Sequence, residues 1–174
     1  VTFLVGENGT GKSTLLEAVA VAFGFNAEGG TRNFNFASRE THSCLNQYIK
    51  LTKGPFRPRD GFFFRAESFY NVATNIDDLD NIPAFSPPLK YSYGGVSLHE
   101  MSHGESFFAV FLNRFSGNGL YILDEPEAAL SPNRQMAMIS RMHQLANQNS
   151  QFIIATHSPI IMAYPDAFIY KVDE

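Results

Sequence analysis

The run Gly6-Glu7-Asn8-Gly9-Thr10-Gly11-Lys12-Ser13 constrains this chain more than any other. It fits the spacing G-x-x-x-x-G-K-[ST] without a mismatch, and it lies between an apolar, β-branched run, Val1–Val5, and the nearly all-apolar Lys12–Phe23. Glycines let successive backbone N–H groups turn inward, and the helix that follows adds the positive end of its dipole, so a strand, loop and buried helix in this order form an anion cradle. Gly6, Glu7, Asn8, Gly9, Thr10, Gly11 and Thr14 then surround a nucleotide's phosphates, Lys12 reaches the β- and γ-phosphates, and Ser13 holds Mg²⁺ through its hydroxyl.

Three further stretches carry chemistry. Leu120–Glu125 reads as a buried strand ending in two carboxylates, which sets Asp124 at the metal and Glu125 one residue further, where it polarises the water attacking a γ-phosphate. Phe152–His157 is a strand that delivers a histidine at its C-terminal end, the rim where ligands bind in open α/β sheets, and His157 is expected to sense the γ-phosphate. Ser102-His103-Gly104-Glu105 opens an apolar helix, Ser106–Phe115. S-x-x-E before an apolar run is an ordinary capping box, and the serine hydroxyl and glycine amide at that helix start also suit an anion. The catalytic candidates are therefore Glu125, His157 and Lys12, and the metal candidates Ser13 and Asp124.

The remaining chain fills in an α/β core. Ser131-Pro132 starts a helix with Met136, Ile139, Met142 and Leu145 at helical spacing; Pro159–Tyr164 reads as a short helix and Phe168–Val172 as a last strand. Strands alternating with helices over 1–25 and 105–174 predict a mostly parallel sheet in a three-layer core. The middle, about 26–104, reads as a β-rich insertion, with Leu45–Leu51 and Phe62–Arg65 as strands and Asn75–Gly95, acidic and Pro-rich, as loop with at most one short helix. The expectation is a single domain over 1–174 whose first strands precede Val1.

At 174 residues and 44% hydrophobic content the chain has material for one packed core, and a net charge of −4 excludes a polycation that coats nucleic acid throughout. No apolar run approaches the ~18 residues of a membrane span. The lone Cys44 forms no internal disulfide, fits a reducing, cytoplasmic setting, and is expected as a small buried side chain.

In order and spacing, the four motifs together resemble the ABC-type P-loop ATPases over nearly the whole chain. Gly6–Ser13 looks like Walker A, Ser102–Glu105 like the signature motif (M-S-H-G-E for the commoner L-S-G-G-Q), Leu120–Glu125 like Walker B, and His157 like the switch histidine. The Glu125–Pro132 and Thr156–Pro159 stretches look most like stand-alone bacterial ATPases related to SMC-like and OLD-type heads. The resemblance implies ATP and Mg²⁺ as cofactors and a head-to-tail homodimer with ATP between Walker A of one protomer and Ser102 and Gly104 of the other. Departures are equally specific. Ser102 follows Lys12 by 90 positions, too few for a long coiled coil. Only about 35 residues separate Phe64–Ser68, the expected Q-loop region, from the signature, so the subdomain carrying the signature helix is abbreviated, which counts against a membrane-protein partner. No Gln follows Phe64; Arg65 and Glu67 occupy that neighbourhood. Ser131 stands where the D-loop usually has aspartate, and the adenine-stacking aromatic is expected upstream of the chain.

Charge separates along the chain. Residues 32–65 carry seven basic side chains against Glu40 and Asp60, while 66–130 carry nine acids against Lys90 and Arg114. The basic stretch, interleaved with Phe34, Phe36, Tyr48 and Phe56, either contacts nucleic-acid phosphates or balances the acidic segment across the fold. The expected function is ATP binding and Mg²⁺-dependent hydrolysis linked to nucleic-acid repair or defence. The alternatives are the nucleotide-binding subunit of an ABC transporter and an ATP-switched regulatory module.

Overall fold

A computed structural model of the chain describes residues 1–32, 43–55, 57–81 and 87–173, with His103 described by its backbone alone. Five strands, β1 (Thr2–Val5), β2 (Asp60–Arg65), β3 (Gly119–Asp124), β4 (Gln151–Ala155) and β5 (Phe168–Lys171), form one sheet in the order β2-β3-β4-β1-β5, every pair parallel. Among the described residues, five α-helices, α1 (Lys12–Phe23), α2 (Phe69–Asp80), α3 (His103–Asn113), α4 (Pro132–Ala146) and α5 (Pro159–Met162), accompany it. This is the α/β P-loop NTPase arrangement, with β4 inserted between the strand that feeds the glycine loop and the strand that ends in carboxylates.

β1 to β4 read as largely apolar runs because both faces of the sheet are covered there, while β5 at the edge is exposed along its length. On one face Leu4, Phe63, Ile122 and Ala155 pack with Leu16 and Ala20 of α1. On the other, Phe3, Phe62, Phe64, Tyr121, Leu123, Phe152 and Ile154 meet Phe107 and Phe111 of α3, Met138 and Met142 of α4, and Ile161 of α5. Many of the chain's phenylalanines stack here: the Phe64 and Phe107 ring centres lie 4.0 Å apart, and Phe115 lies over Tyr121 at 4.1 Å. At the lower rim of the sheet, Asp60 accepts from Arg114 Nη1 at 2.7 Å and from the Tyr121 hydroxyl at 2.9 Å. Burial alone would raise the Asp60 carboxyl, but Arg114, the Gly61 amide and Tyr121 together hold it below the usual range.

The middle of the chain differs from its sequence reading. Phe62–Arg65 belongs to β2, and β2 is an edge strand of the core sheet rather than part of a separate insertion. Among the described residues no second strand accompanies it; Gly30 makes only an isolated bridge to Phe63. Leu45–Leu51 is not a strand: Cys44–Gln47 is a 3-10 turn, nucleated by the Ser43 hydroxyl accepting from the Leu45 amide at 3.2 Å. The acidic segment, expected as loop with at most one short helix, begins inside α2, whose Phe69, Val72, Ala73 and Ile76 are buried on one face; Asp78 is exposed, while Asp77 accepts from the Ser97 hydroxyl at 2.6 Å and Asp80 from the Lys90 amide at 2.9 Å. Cys44 is exposed rather than buried. Phe34, Phe36, Arg39 and Phe56 lie outside the described residues.

Candidate functional site

Strand register brings the motifs to one rim. Leu4 pairs with Ala155, Ala155 with Asp124, and Asp124 with Arg65, so these four residues form a level row across β1, β4, β3 and β2. The segments leaving these strands therefore emerge at the same height: the glycine loop after β1, Thr156 and His157 after β4, and Glu125 after β3. Two further backbone bonds extend the ladder, from the Thr156 amide to the Leu4 carbonyl at 3.2 Å and from the Glu125 amide to the Ala155 carbonyl at 3.0 Å.

The loop is shaped by steric demand. A β-carbon on Gly6 would collide with the Val172 carbonyl, and Gly11 caps α1 at φ 85°, a left-handed conformation that glycine adopts without cost. α1 has neither a side-chain cap nor an acid in its first turn. By contrast α3, α4 and α5 open on Ser102, Ser131 and Ser158, each of whose hydroxyls accepts a backbone N–H. The start of α1 thus keeps its N–H groups and dipole for an external anion. Lys12, 4% exposed, bends back so that Nζ donates to the Gly6 carbonyl at 3.0 Å and the Glu7 carbonyl at 2.6 Å.

Beneath the loop, Ser13 Oγ donates to Asp124 Oδ1 at 3.0 Å. Burial pushes the Asp124 carboxyl up to about 6; the Ser13 bond and Arg65 pull it down, and the Glu125 and Glu67 charges push it further up. The nearest cation, Arg65 Nε, stands 3.9 Å away and is turned to other work: its Nη1 donates to Glu17 Oε2 on α1 at 2.6 Å. Asp124 is a buried carboxylate short of positive charge, and with the Ser13 hydroxyl it forms a donor set that suits a hard divalent cation. Glu125 follows in a left-handed conformation, φ 46° and ψ 54°, which swings its side chain out of the strand; its Oε1 lies 3.3 Å from His157 Nε2.

Ser102 and Gly104 stand apart from this cluster, at the start of α3. The capping box forms: Glu105 Oε2 accepts from the Ser102 amide at 3.1 Å and hydroxyl at 2.7 Å. Gly104 has its own steric reason to be glycine, because a β-carbon there would strike the Ala129 carbonyl in the 3-10 turn Pro126–Ala129. Ser131 serves as the cap of α4, so the turn persists without the usual aspartate. Arg65 sits in the site while Glu67 is 90% exposed at its margin. Sequence reading missed Glu17, Glu127 and Thr156. Glu17 follows Ser13 by one helical turn, which puts it on the same face of α1, and Glu127 follows Glu125 by two residues; both spacings were visible, but neither named its partner.

The comparisons agree with this geometry. A family described as "AAA ATPase domain" matches residues 105–162, and one described as "AAA domain" matches residues 1–84. The chain is thus similar to AAA-type ATPase domains over two separate stretches, one holding the glycine loop and the other the acidic pair and His157. Among curated proteins it is similar to ABC transporter ATP-binding/permease protein Rv1747 of Mycobacterium tuberculosis, 26% identical over 91% of this chain and 19% of the relative. It is also similar to ABC transporter G family member STR2 of Medicago truncatula, 24% identical over 91% of this chain and 24% of the relative. The chain therefore spans about a fifth to a quarter of these relatives' lengths. A looser likeness joins it to the SMC head domain from Thermotoga maritima, at TM-score 0.45 and 16% identity, covering 98% of this chain and 84% of that one.

Proposed function

We propose that this domain binds ATP with Mg²⁺ and hydrolyses the bond between the β- and γ-phosphates, two copies closing head to tail around the nucleotide. The observation that carries the reading is the meeting of Ser13 and Asp124 at 3.0 Å, from 111 positions apart, directly under an uncapped helix start. Gly6, Glu7, Asn8, Gly9, Thr10, Gly11 and Thr14 wrap the phosphates, and Lys12 exchanges its loop carbonyls for phosphate oxygens. Ser13 and Asp124 hold the cation, which supplies charge neutralisation on the β- and γ-phosphates. Glu125 takes the proton of the attacking water, and His157 beside it donates toward the γ-phosphate. Ser102 and Gly104, at the accessible start of α3, close the site of the other copy. Phosphate release from ATP with and without Mg²⁺ tests this reading; a chain that binds ATP without turning it over is instead a regulatory module.

The Asp124 carboxyl gives the metal dependence a sign. A proton and a cation compete for it, so below about pH 6 the cation must displace a proton. Mg²⁺-dependent ATP affinity should fall by up to about tenfold per pH unit below that point and level off above about pH 7. The same raised value costs folding stability as pH rises from about 4, the unfolded carboxylate range, to about 6, where the folded group ionises. Titration calorimetry across that window checks the slope, and Asp124→Asn should flatten it.

The output we assign to this engine is action on nucleic acid in repair or defence. In its support, a groove of about 840 Å³ at the rim opposite the ATP site is lined, among the described residues, by Arg32, Lys53 and Arg57 and by no carboxylate. Arg32 and Lys53 both lie over the Phe23 ring, at 5.7 and 4.6 Å. Duplex or single-stranded DNA should bind with an affinity that drops steeply with salt, and neutralising Arg32, Lys53 and Arg57 should lower the salt slope by about one for each phosphate that is no longer neutralised. Salt-independent binding, or none, would leave the second reading, the nucleotide-binding subunit of a transporter, which the names of the two curated relatives favour. Among the described residues no helix is long and apolar enough to cross a membrane.

A further inference from the structure

We infer that Glu127 is a positioning residue that fixes His157 against Glu125, an inference that rests on the proposed hydrolysis. Glu127 Oε1 accepts three bonds from the turn after β4: from the His157 amide at 2.6 Å, the Thr156 hydroxyl at 2.8 Å and the Ser158 amide at 3.2 Å. Thr156 is fully buried, and Ser158 is held from behind, its hydroxyl donating to Gln135 Oε1 at 2.5 Å while Gln135 Nε2 donates to the Leu130 carbonyl at 3.0 Å. The turn bearing His157 is therefore clamped between α4 and the 3-10 turn Pro126–Ala129.

That 3-10 turn begins directly after Glu125. One short segment thus carries both the carboxylate facing the water and the carboxylate holding the histidine, so the 3.3 Å separation of His157 Nε2 from Glu125 Oε1 is set locally, independent of nucleotide. Charge-assisted acceptance of three donors by one oxygen is strong, and removing it leaves the His157 amide and the Thr156 hydroxyl without that acceptor, while the Ser158 amide keeps its 3.0 Å bond to the Thr156 hydroxyl oxygen. Glu127 Oε2 is buried without a partner, so the tether runs through Oε1 alone. A glutamine keeps that oxygen.

The test compares Glu127→Ala, Glu127→Gln, His157→Ala and the Glu127→Ala/His157→Ala double variant. Glu127→Ala should lower kcat by about tenfold or more, matching His157→Ala, with the KM for ATP within about threefold of wild type. Glu127→Gln should recover most of kcat, and the double variant should be no slower than His157→Ala alone. In parallel, the His157 amide, whose acceptor is Glu127, should exchange with solvent about tenfold faster in Glu127→Ala but not in Glu127→Gln. Losses that add in the double variant, or a His157 amide that exchanges as in wild type, overturn the inference. If the wild-type chain shows no turnover, the hydrolysis reading fails by itself, and amide exchange alone decides whether Glu127 holds the histidine turn.

Discussion

Lys12→Ala abolishes nucleotide binding. Lys12 is buried with its charge inside the glycine loop, and its two hydrogen bonds go to the loop's own Gly6 and Glu7 carbonyls, so no competing carboxylate has to be broken when phosphate arrives. Hydrogen bonds to charged groups contribute about 1.5–3 kcal/mol each, so removing the bonds to two phosphates weakens ATP by at least about a hundredfold. Titration with a fluorescent ATP analogue reads this directly. Thermal unfolding without nucleotide separates it from damage to the fold, since the alanine also gives up two ties within the loop. An unchanged ATP affinity would refute the phosphate-loop assignment, and with it the whole mechanism.

Glu125→Gln gives the second large effect, a slow enzyme trapped as a dimer. Glutamine has the same shape and adopts the same left-handed backbone at a similar cost of order 1–3 kcal/mol, so the variant should fold as wild type does. It cannot take a proton from water, and loss of a general base lowers the rate by about 10²–10⁴-fold. In the proposed sandwich the γ-phosphate joins both copies, so a site that keeps it should stay closed, and light scattering with saturating Mg²⁺ and ATP should report twice the monomer mass. A variant that remains monomeric there excludes the sandwich for this chain. His157, 3.3 Å away, should give a smaller loss when changed to alanine, because it orients rather than accepts the proton.

The catalytic rim is legible in the sequence because each of its groups comes after an apolar strand. Val1–Val5, Leu120–Leu123 and Phe152–Ala155 read as strands from residue type alone, and parallel pairing then forces their C-terminal ends to one edge. Lys12, Ser13, Asp124, Glu125 and His157 gather for that reason. The middle of the chain is harder because its local signals conflict. Three aspartates in Asn75–Asp80 mask the buried stripe of α2, and Phe62–Phe64 carries no sign that its partner is β3, a strand about 60 residues onward. Arg65 and Glu127 show the deeper limit. Each is a charged residue beside a strand end, ordinary by itself, and its function depends on which carboxylate or amide the fold sets opposite it.

The place of β4 in the sheet has a mechanical consequence. Because β4 is hydrogen-bonded to β1 on one side and β3 on the other, the strand ends that feed the phosphate loop and the acidic pair lie two strand spacings apart, about 9–10 Å, a gap that backbone ladders hold fixed. For the proposed mechanism, the protein carries a ruler between the strand end that feeds the phosphate loop and the one that bears Glu125. Opening and closing around nucleotide cannot stretch it without breaking the sheet. Motion is left to the turns at the rim and to the approach of a second copy, so the two halves of a cycle differ in what is brought to the ruler, while the ruler itself keeps its length.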